Sequence, residues 1–143
     1  VNKYHQSRKF PRSALGFFGG YHILIEKDGT IMRYRLDEEI GAHDAGENVN
    51  SLGVALAGNF SLERPTTQQE TTLRGILRDW MAKWSIPETR IEPHRWGDAT
   101  ECPGKLLPDN WPSQVLKKVP PNNAREALYD IIQYIQQKLK MLE

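Results

Sequence analysis

The sequence is poor in the features that would place it in several large functional classes. It has one cysteine in 143 residues, so no internal disulfide forms and the fold does not depend on oxidation. The formal net charge is +1, too small a bulk field to attract nucleic acid or anionic lipid, although a local basic groove remains compatible with it. No window approaches the roughly 20 apolar residues of a membrane-spanning helix, so no membrane insertion is expected. The opening "VNKYHQSRKF" lacks the apolar core of a secretion signal. The expectation is a protein made in the cytoplasm, with partners set by local sites and not by overall charge.

What is present is ordinary globular material, 38% hydrophobic and 26% charged, sized for one compact domain. "VNKYHQSRKF" suits a short helix stopped before Pro11, because the residue preceding proline avoids helical angles. "YHILIEKDGTIMRYR" alternates around Asp28-Gly29, a dipeptide that accepts the positive φ of a tight hairpin turn; strands are expected at 21–26 and 30–35. "SLGVALAGN" reads as a buried strand. In "RPTTQQETTLRGILRDWMAKWSI", Thr67 and Glu70 have capping-box spacing, and Leu73, Ile76, Leu77, Trp80, Met81 and Trp84 recur at helical intervals. "RIEPHRW" suggests a brief strand.

The main domain is expected at 1–116, a proline-stiffened linker at 117–123 with Asn123 as a helix cap, and an amphipathic helix at 124–143. In that helix Leu128, Ile132, Ile135, Leu139 and Leu142 form a heptad seam of about two heptads. It suits docking on its own domain, with self-association through this helix as the alternative, although such seams are usually longer.

The stretch "PHRWGDATECPGK" carries the lone thiol. A thiolate and an imidazole are preferred zinc ligands, and catalytic zinc keeps an open position beside three protein ligands. His94 and Cys102 flank a loop long enough to fold back on one ion; a buried structural cysteine near an unrelated histidine is the competing reading. "TECPG" forces a turn that holds the sulfur at a loop tip.

The ordered blocks "GGYHILIEKDGTI", "GAHDAG", "NSLGVALAGNF", "PTTQQ" and "PHRWGDATECPGK" resemble the type 2 N-acetylmuramoyl-L-alanine amidases, the superfamily of phage amidase endolysins and peptidoglycan recognition proteins. The resemblance implies that 1–116 is an amidase catalytic domain, incomplete at its N-terminal end. It implies an α/β fold, a central mixed β-sheet flanked by helices with the C-terminal helix as an appendage and a groove along one sheet edge. It implies Zn2+ as cofactor with His94 and Cys102 as ligands, Tyr21 as the catalytic tyrosine, Thr100 as a stabiliser of the tetrahedral intermediate, and His43 lining the substrate groove. Ala55 stands where some relatives carry a glutamate, which leaves the tyrosine branch. His22 faces away from Tyr21 on a regular strand and is expected to pack or hydrogen-bond.

The implied reaction is zinc-dependent hydrolysis of the amide between N-acetylmuramic acid and L-alanine in peptidoglycan, by an endolysin or autolysin acting on the bacterial cell wall. The chemistry is coherent, since zinc brings bound water to a pKa of about 7 and each donor aimed at a developing oxyanion contributes on the order of 3 kcal/mol. The family's third ligand is a histidine on a strand preceding the first helix, and it is unmatched here. His5 lies within the helix and does not correspond to it. A fragment or late start, a strand supplied by another chain or swapped element, and a catalytically silent peptidoglycan-binding module are the three explanations. An oligomeric scaffold built on the heptad seam is a further class of function.

Overall fold

The alternation around Asp28-Gly29 folds into the expected hairpin. In the computed structural model, which describes residues 1–118 and 124–142, strand β1 (Ile23–Ile25) runs antiparallel to β2 (Ile31–Arg33), with Leu24 opposite Met32. Gly29 takes φ +85°, and the Asp28 carboxylate accepts the Thr30 N–H at 2.8 Å, closing an Asx-type turn. The regular strands are shorter than the 21–26 and 30–35 expected. Beyond them the backbone stays bonded without strand geometry, Tyr34 N–H donating to His22 O at 2.9 Å.

Strand β3 (Val54–Leu56) lies parallel to β1, giving a mixed sheet of order β2-β1-β3. Because β1 is central it is buried on both faces, which explains its uninterrupted "ILI". Arg35 is also buried; it donates to the carbonyls of Gly19 at 2.8 Å, Pro11 at 2.6 Å and Ile40 at 3.3 Å. One guanidinium thus ties the segment after α1 (Asn2–Ser7) to both sides of the hairpin.

Helix α2 (Thr67–Trp84) is capped one residue earlier than the sequence suggested: the N-cap is Thr66, not Thr67, and its reciprocal partner is Gln69, not Glu70. Burial selects this register. Gln69 is 1% exposed; its Oε1 accepts the Thr66 N–H at 3.1 Å and its amide nitrogen donates to Ile25 O at 3.2 Å and Ala57 O at 2.8 Å. A glutamate there would lack those two donors. Leu73, Ile76, Leu77 and Trp80 then reach the core with Ile23, Ile25 and Phe60, and Met81 packs at its margin. Trp84, at the last turn, is 42% exposed, with the Lys83 ammonium 4.8 Å from its ring centroid.

"RIEPHRW" forms no strand. Two 3₁₀ turns, Glu88–Arg90 and His94–Trp96, replace it, each preceded by a proline, Pro87 or Pro93, in extended conformation. Proline has no N–H to give a ladder and presets φ for the start of a turn. A helix not expected from the sequence, α3 (Trp111–Lys117), buries Trp111, Val115 and Leu116 against α2. Its seven residues are too few to show a periodicity.

Helix α4 (Ala124–Lys140) docks on α2 and β2, but not through its heptad seam. Tyr134 and Met141 pack against the core and Gln137 is buried. Gly75 makes room, since a Cβ there would overlap the Tyr134 ring. The Tyr134 hydroxyl bonds Asp79, which Lys138 pairs at 3.0 Å. Leu128, Ile132, Ile135, Leu139 and Leu142 are all exposed. The expected linker falls, from 119 onward, outside the described residues, as does the Asn123 cap. No helix among the described residues is long and apolar enough to cross a membrane.

The capping register is directly testable. Thr66→Ala is expected to cost about 1 kcal/mol in urea denaturation, whereas Thr67→Ala is expected to stay within about 0.5 kcal/mol of wild type.

Candidate active site

A groove of about 800 Å³ borders β3, the last strand on that side of the sheet among the described residues. Its apolar wall comes from Val54, Leu56, Leu73, Leu77 and Trp80, and its polar end from Tyr21, His43, Asp44, His94 and Cys102. The polar end is assembled from three segments distant in sequence, and the way each is held follows from local bonding.

His22 anchors the first. It is 0% exposed, its Nδ1 accepting the Gly53 N–H at 3.0 Å and its Nε2 donating to Glu39 O at 2.8 Å. Both nitrogens are therefore committed to backbone, as expected for a packing residue, and none is left for a metal. With His22 turned inward, Tyr21 faces the groove. Its ring lies 5.5 Å from that of His43 and 6.3 Å from that of His94, and its Oη is 3.5 Å from His94 Nδ1. Burial, reinforced by Cys102, Asp44 and Asp98, pushes the phenol up to about 12, so near neutral pH Tyr21 is a proton-bearing donor.

His43 is the second. Asn48 Oδ1 accepts the N–H groups of His43 at 2.7 Å and Asp44 at 3.0 Å, shaping the "HDAGEN" turn. The imidazole fits between two glycines: a Cβ on Gly41 would collide with its Nδ1, and one on Gly53 would collide with its Cδ2. Ser51 donates its only proton to Glu47 O at 2.7 Å. Its oxygen lies 3.3 Å from His43 Nε2, and the buried Nδ1 has no side-chain partner among the described residues. Burial, then the neighbouring His22 and His94, lower the His43 pKa to about 4.

The third segment is the loop from His94 to Leu107. Arg95 holds it closed: its N–H donates to Cys102 O at 3.1 Å and its Nη2 to Gly104 O at 3.1 Å and Leu107 O at 2.7 Å. Gly104 has φ +133° and lies against the Phe60 backbone, leaving no room for a Cβ; Leu106 N–H donates to Phe60 O at 2.9 Å. The loop tip is thereby docked on the chain that follows β3. Cys102 is solvent-accessible and lines the groove. Partial burial raises its thiol above the usual value, against the pull of the Arg95 guanidinium.

Thr100 is exposed and does not line the groove; its Oγ1 accepts the Cys102 N–H at 3.2 Å. Its position is that of a turn residue beside the thiol. His5 is also away from the groove, with Nδ1 accepting the Gly20 N–H at 2.9 Å and its ring stacked on Phe10. Sequence reasoning missed Asp44 and Asp98, whose carboxylates lie with His94 such that one ligand atom of each falls within 4.8 Å of the others, a spacing suited to a metal ion. The only signal was an aspartate four positions after His94. Asp44 Oδ1 is buried and has no hydrogen-bond partner among the described residues. An uncompensated carboxylate oxygen beside an imidazole, in a groove that a thiol also lines, makes a donor set that fits a divalent cation.

The lowered His43 pKa has a defined effect on stability. The unfolded chain, with an imidazole near 6.5, takes up the proton before the folded one does, so this contribution is complete above about pH 6.5 and is lost progressively toward pH 4. Denaturant titrations are expected to show roughly 2 kcal/mol less stability at about pH 5 than at about pH 7.5 from His43. The loss should shrink in His43→Gln.

Three similarities place this architecture among known proteins. Peptidoglycan-recognition protein SC2 of Drosophila melanogaster is 35% identical over 86 residues, covering 59% of this chain and 47% of that protein. The chain thus spans about half the length of this relative. The solved N-acetylmuramoyl-L-alanine amidase LysC from Clostridium intestinale URNW is 37% identical, with a TM-score of 0.67 over 76% of this chain and 67% of that one. A Drosophila PGRP-LB mutant solved in complex with tracheal cytotoxin is 30% identical, with a TM-score of 0.64 over 74% of this chain and 60% of that one. A family model described as N-acetylmuramoyl-L-alanine amidase matches residues 2–105, and the chain belongs to that family.

Proposed function

We propose that the groove binds peptidoglycan and that its polar end hydrolyses the amide bond between N-acetylmuramic acid and L-alanine with the help of zinc. The observation that carries this reading is the meeting of Tyr21 and His94, 73 positions apart, in a groove that Cys102 also lines. The membership of residues 2–105 in the amidase family supports it.

His94 and Cys102 would hold the ion, with Asp44 Oδ1 an oxygen without a hydrogen-bond partner among the described residues that also lines the groove. Bound zinc supplies a water acidic enough to react near neutral pH and polarises the carbonyl under attack. Tyr21 keeps its proton and donates a hydrogen bond where charge develops on the carbonyl oxygen. His43, with its pKa lowered by burial, lines the groove as an uncharged ring near neutral pH and so adds no charge beside the substrate. The apolar wall of Val54, Leu56 and Leu77 excludes water and strengthens those hydrogen bonds. Thr100 holds the Cys102 backbone and so sets the height of the thiol in the loop.

A catalytically silent peptidoglycan-binding module is the second reading. It is favoured by the commitment of His5 and His22 to backbone donors and acceptors, which leaves His94 and His43 as the histidines at the groove.

Zinc per chain by metal mass spectrometry, compared between wild type and Cys102→Ser, separates the two. The enzyme reading expects near-stoichiometric zinc that is lost in the variant, and release of L-alanine amino termini from purified peptidoglycan. Tyr21→Phe should then reduce kcat by about 10²-fold or more with zinc retained. A zinc-free wild type that binds soluble muropeptides, with binding untouched by Cys102→Ser, would establish the module and reject the enzyme.

A further inference from the structure

His94 offers its two ring nitrogens to different neighbours. Nε2 lies 3.0 Å from Asp98 Oδ2, while Nδ1 lies 3.5 Å from Tyr21 Oη at the groove. An ionised carboxylate only accepts hydrogen bonds, so in a neutral imidazole the contact with Asp98 places the proton on Nε2 and the lone pair on Nδ1. The Tyr21 hydroxyl, which can donate or accept, accommodates that lone pair, so the Asp98 contact is the one that selects the tautomer.

The carboxylate is itself held in place. Asp98 N–H donates to His94 O at 3.1 Å, and Thr100 N–H donates to Asp98 O at 2.8 Å. Asp98 Oδ2 also receives the Ala45 N–H at 3.4 Å. The turn that carries the imidazole therefore carries its orienting group, and Ala45 fastens that group to the "HDAGEN" segment. Asp44 stands on the other side, packed so closely against the Cα of Gly97 that a Cβ there would collide with its carboxylate.

We propose that Asp98 is the positioning residue of this site: by accepting from Nε2 it fixes the His94 tautomer and turns the Nδ1 lone pair into the groove as the metal-donor atom. The metal part of this statement rests on the proposed function; the tautomer part does not. It also decides between two roles for Asp98, because a carboxylate engaged by Nε2 acts behind the imidazole, as carboxylate partners of metal-bound histidines do, and not beside it as a ligand.

The test is long-range ¹H–¹⁵N correlation spectroscopy of the His94 ring in zinc-free protein at about pH 8, above the ordinary imidazole range. Wild type is expected to show a single tautomer with the proton on Nε2. Asp98→Ala should populate both tautomers, and Asp98→Asn, whose amide oxygen still accepts, should restore the wild-type one. Zinc affinity measured by competition with a chromophoric chelator should fall about 10- to 100-fold in Asp98→Ala and recover in part in Asp98→Asn.

A proton on Nδ1 in wild type, or a tautomer unchanged by Asp98→Ala, overturns the proposal. So does a loss of zinc affinity that is equal in the Asn and Ala variants, since that pattern marks a direct ligand. If the tautomer responds as expected but no variant holds zinc, the positioning role stands and the zinc-enzyme reading fails.

Discussion

An imidazole removed from water leaves two nitrogens to satisfy, and the way His22 does so organises the molecule. One nitrogen takes the N–H of Gly53, at the start of β3, and the other gives its proton to the carbonyl of Glu39. A single side chain thereby joins β1 to its parallel neighbour and to the loop ahead of His43, while its ring meets those of Trp80 and His43 edge-on at 6.3 and 5.7 Å. Glu39 extends the join, its carboxylate accepting the N–H groups of Ala14 and Leu36 at 2.7 Å each. Tyr21 faces the groove because its neighbour cannot. Losing either bond would strand a buried polar atom, at a cost of about 1–3 kcal/mol, and would loosen two of the three segments that form the polar end.

The third segment is fixed by a different device. Arg95 neutralises no carboxylate at the groove; it fills the carbonyls of its own loop, and Gly104 lets that loop lie flat on the Phe60 backbone. The position of Cys102 thus depends on backbone contacts and not on the packing of the cysteine itself. This leaves the sulfur reachable from the groove, whereas a thiol packed into the core would be held firmly but shielded.

Much of this was legible in the sequence because the signals were local. Asp28-Gly29 specified the hairpin, the apolar spacing from Leu73 to Trp80 specified α2, and the block "PHRWGDATECPGK" specified the fold-back of His94 and Cys102 onto one groove. The errors arose where tertiary contacts chose between local options. Thr66 and Thr67 are equally good caps in isolation, and only the buried Gln69 amide between Ile25 and Ala57 selects Thr66. The heptad of α4 is a stronger apolar pattern than the Tyr134, Gln137 and Met141 face, yet Gly75 accepts the tyrosine ring. Asp44 and Asp98 were invisible because nothing local distinguishes an aspartate in a turn from one that meets a histidine through space. Thr100 is a candidate from its motif position alone, and in the structure its hydroxyl accepts the Cys102 N–H.

The apolar wall of the groove has one more property, which concerns light. Of the four tryptophans in the chain, Trp80, Trp84 and Trp111 border the groove, and Trp96 stands apart on the solvent-facing turn after His94. Indole emission shifts to shorter wavelength as water leaves the ring. Trp80 and Trp111 are already buried, so whatever enters beside β3 and covers Trp84 displaces water from that indole alone. The molecule carries its own optical gauge of groove occupancy, and no external label is needed to follow it.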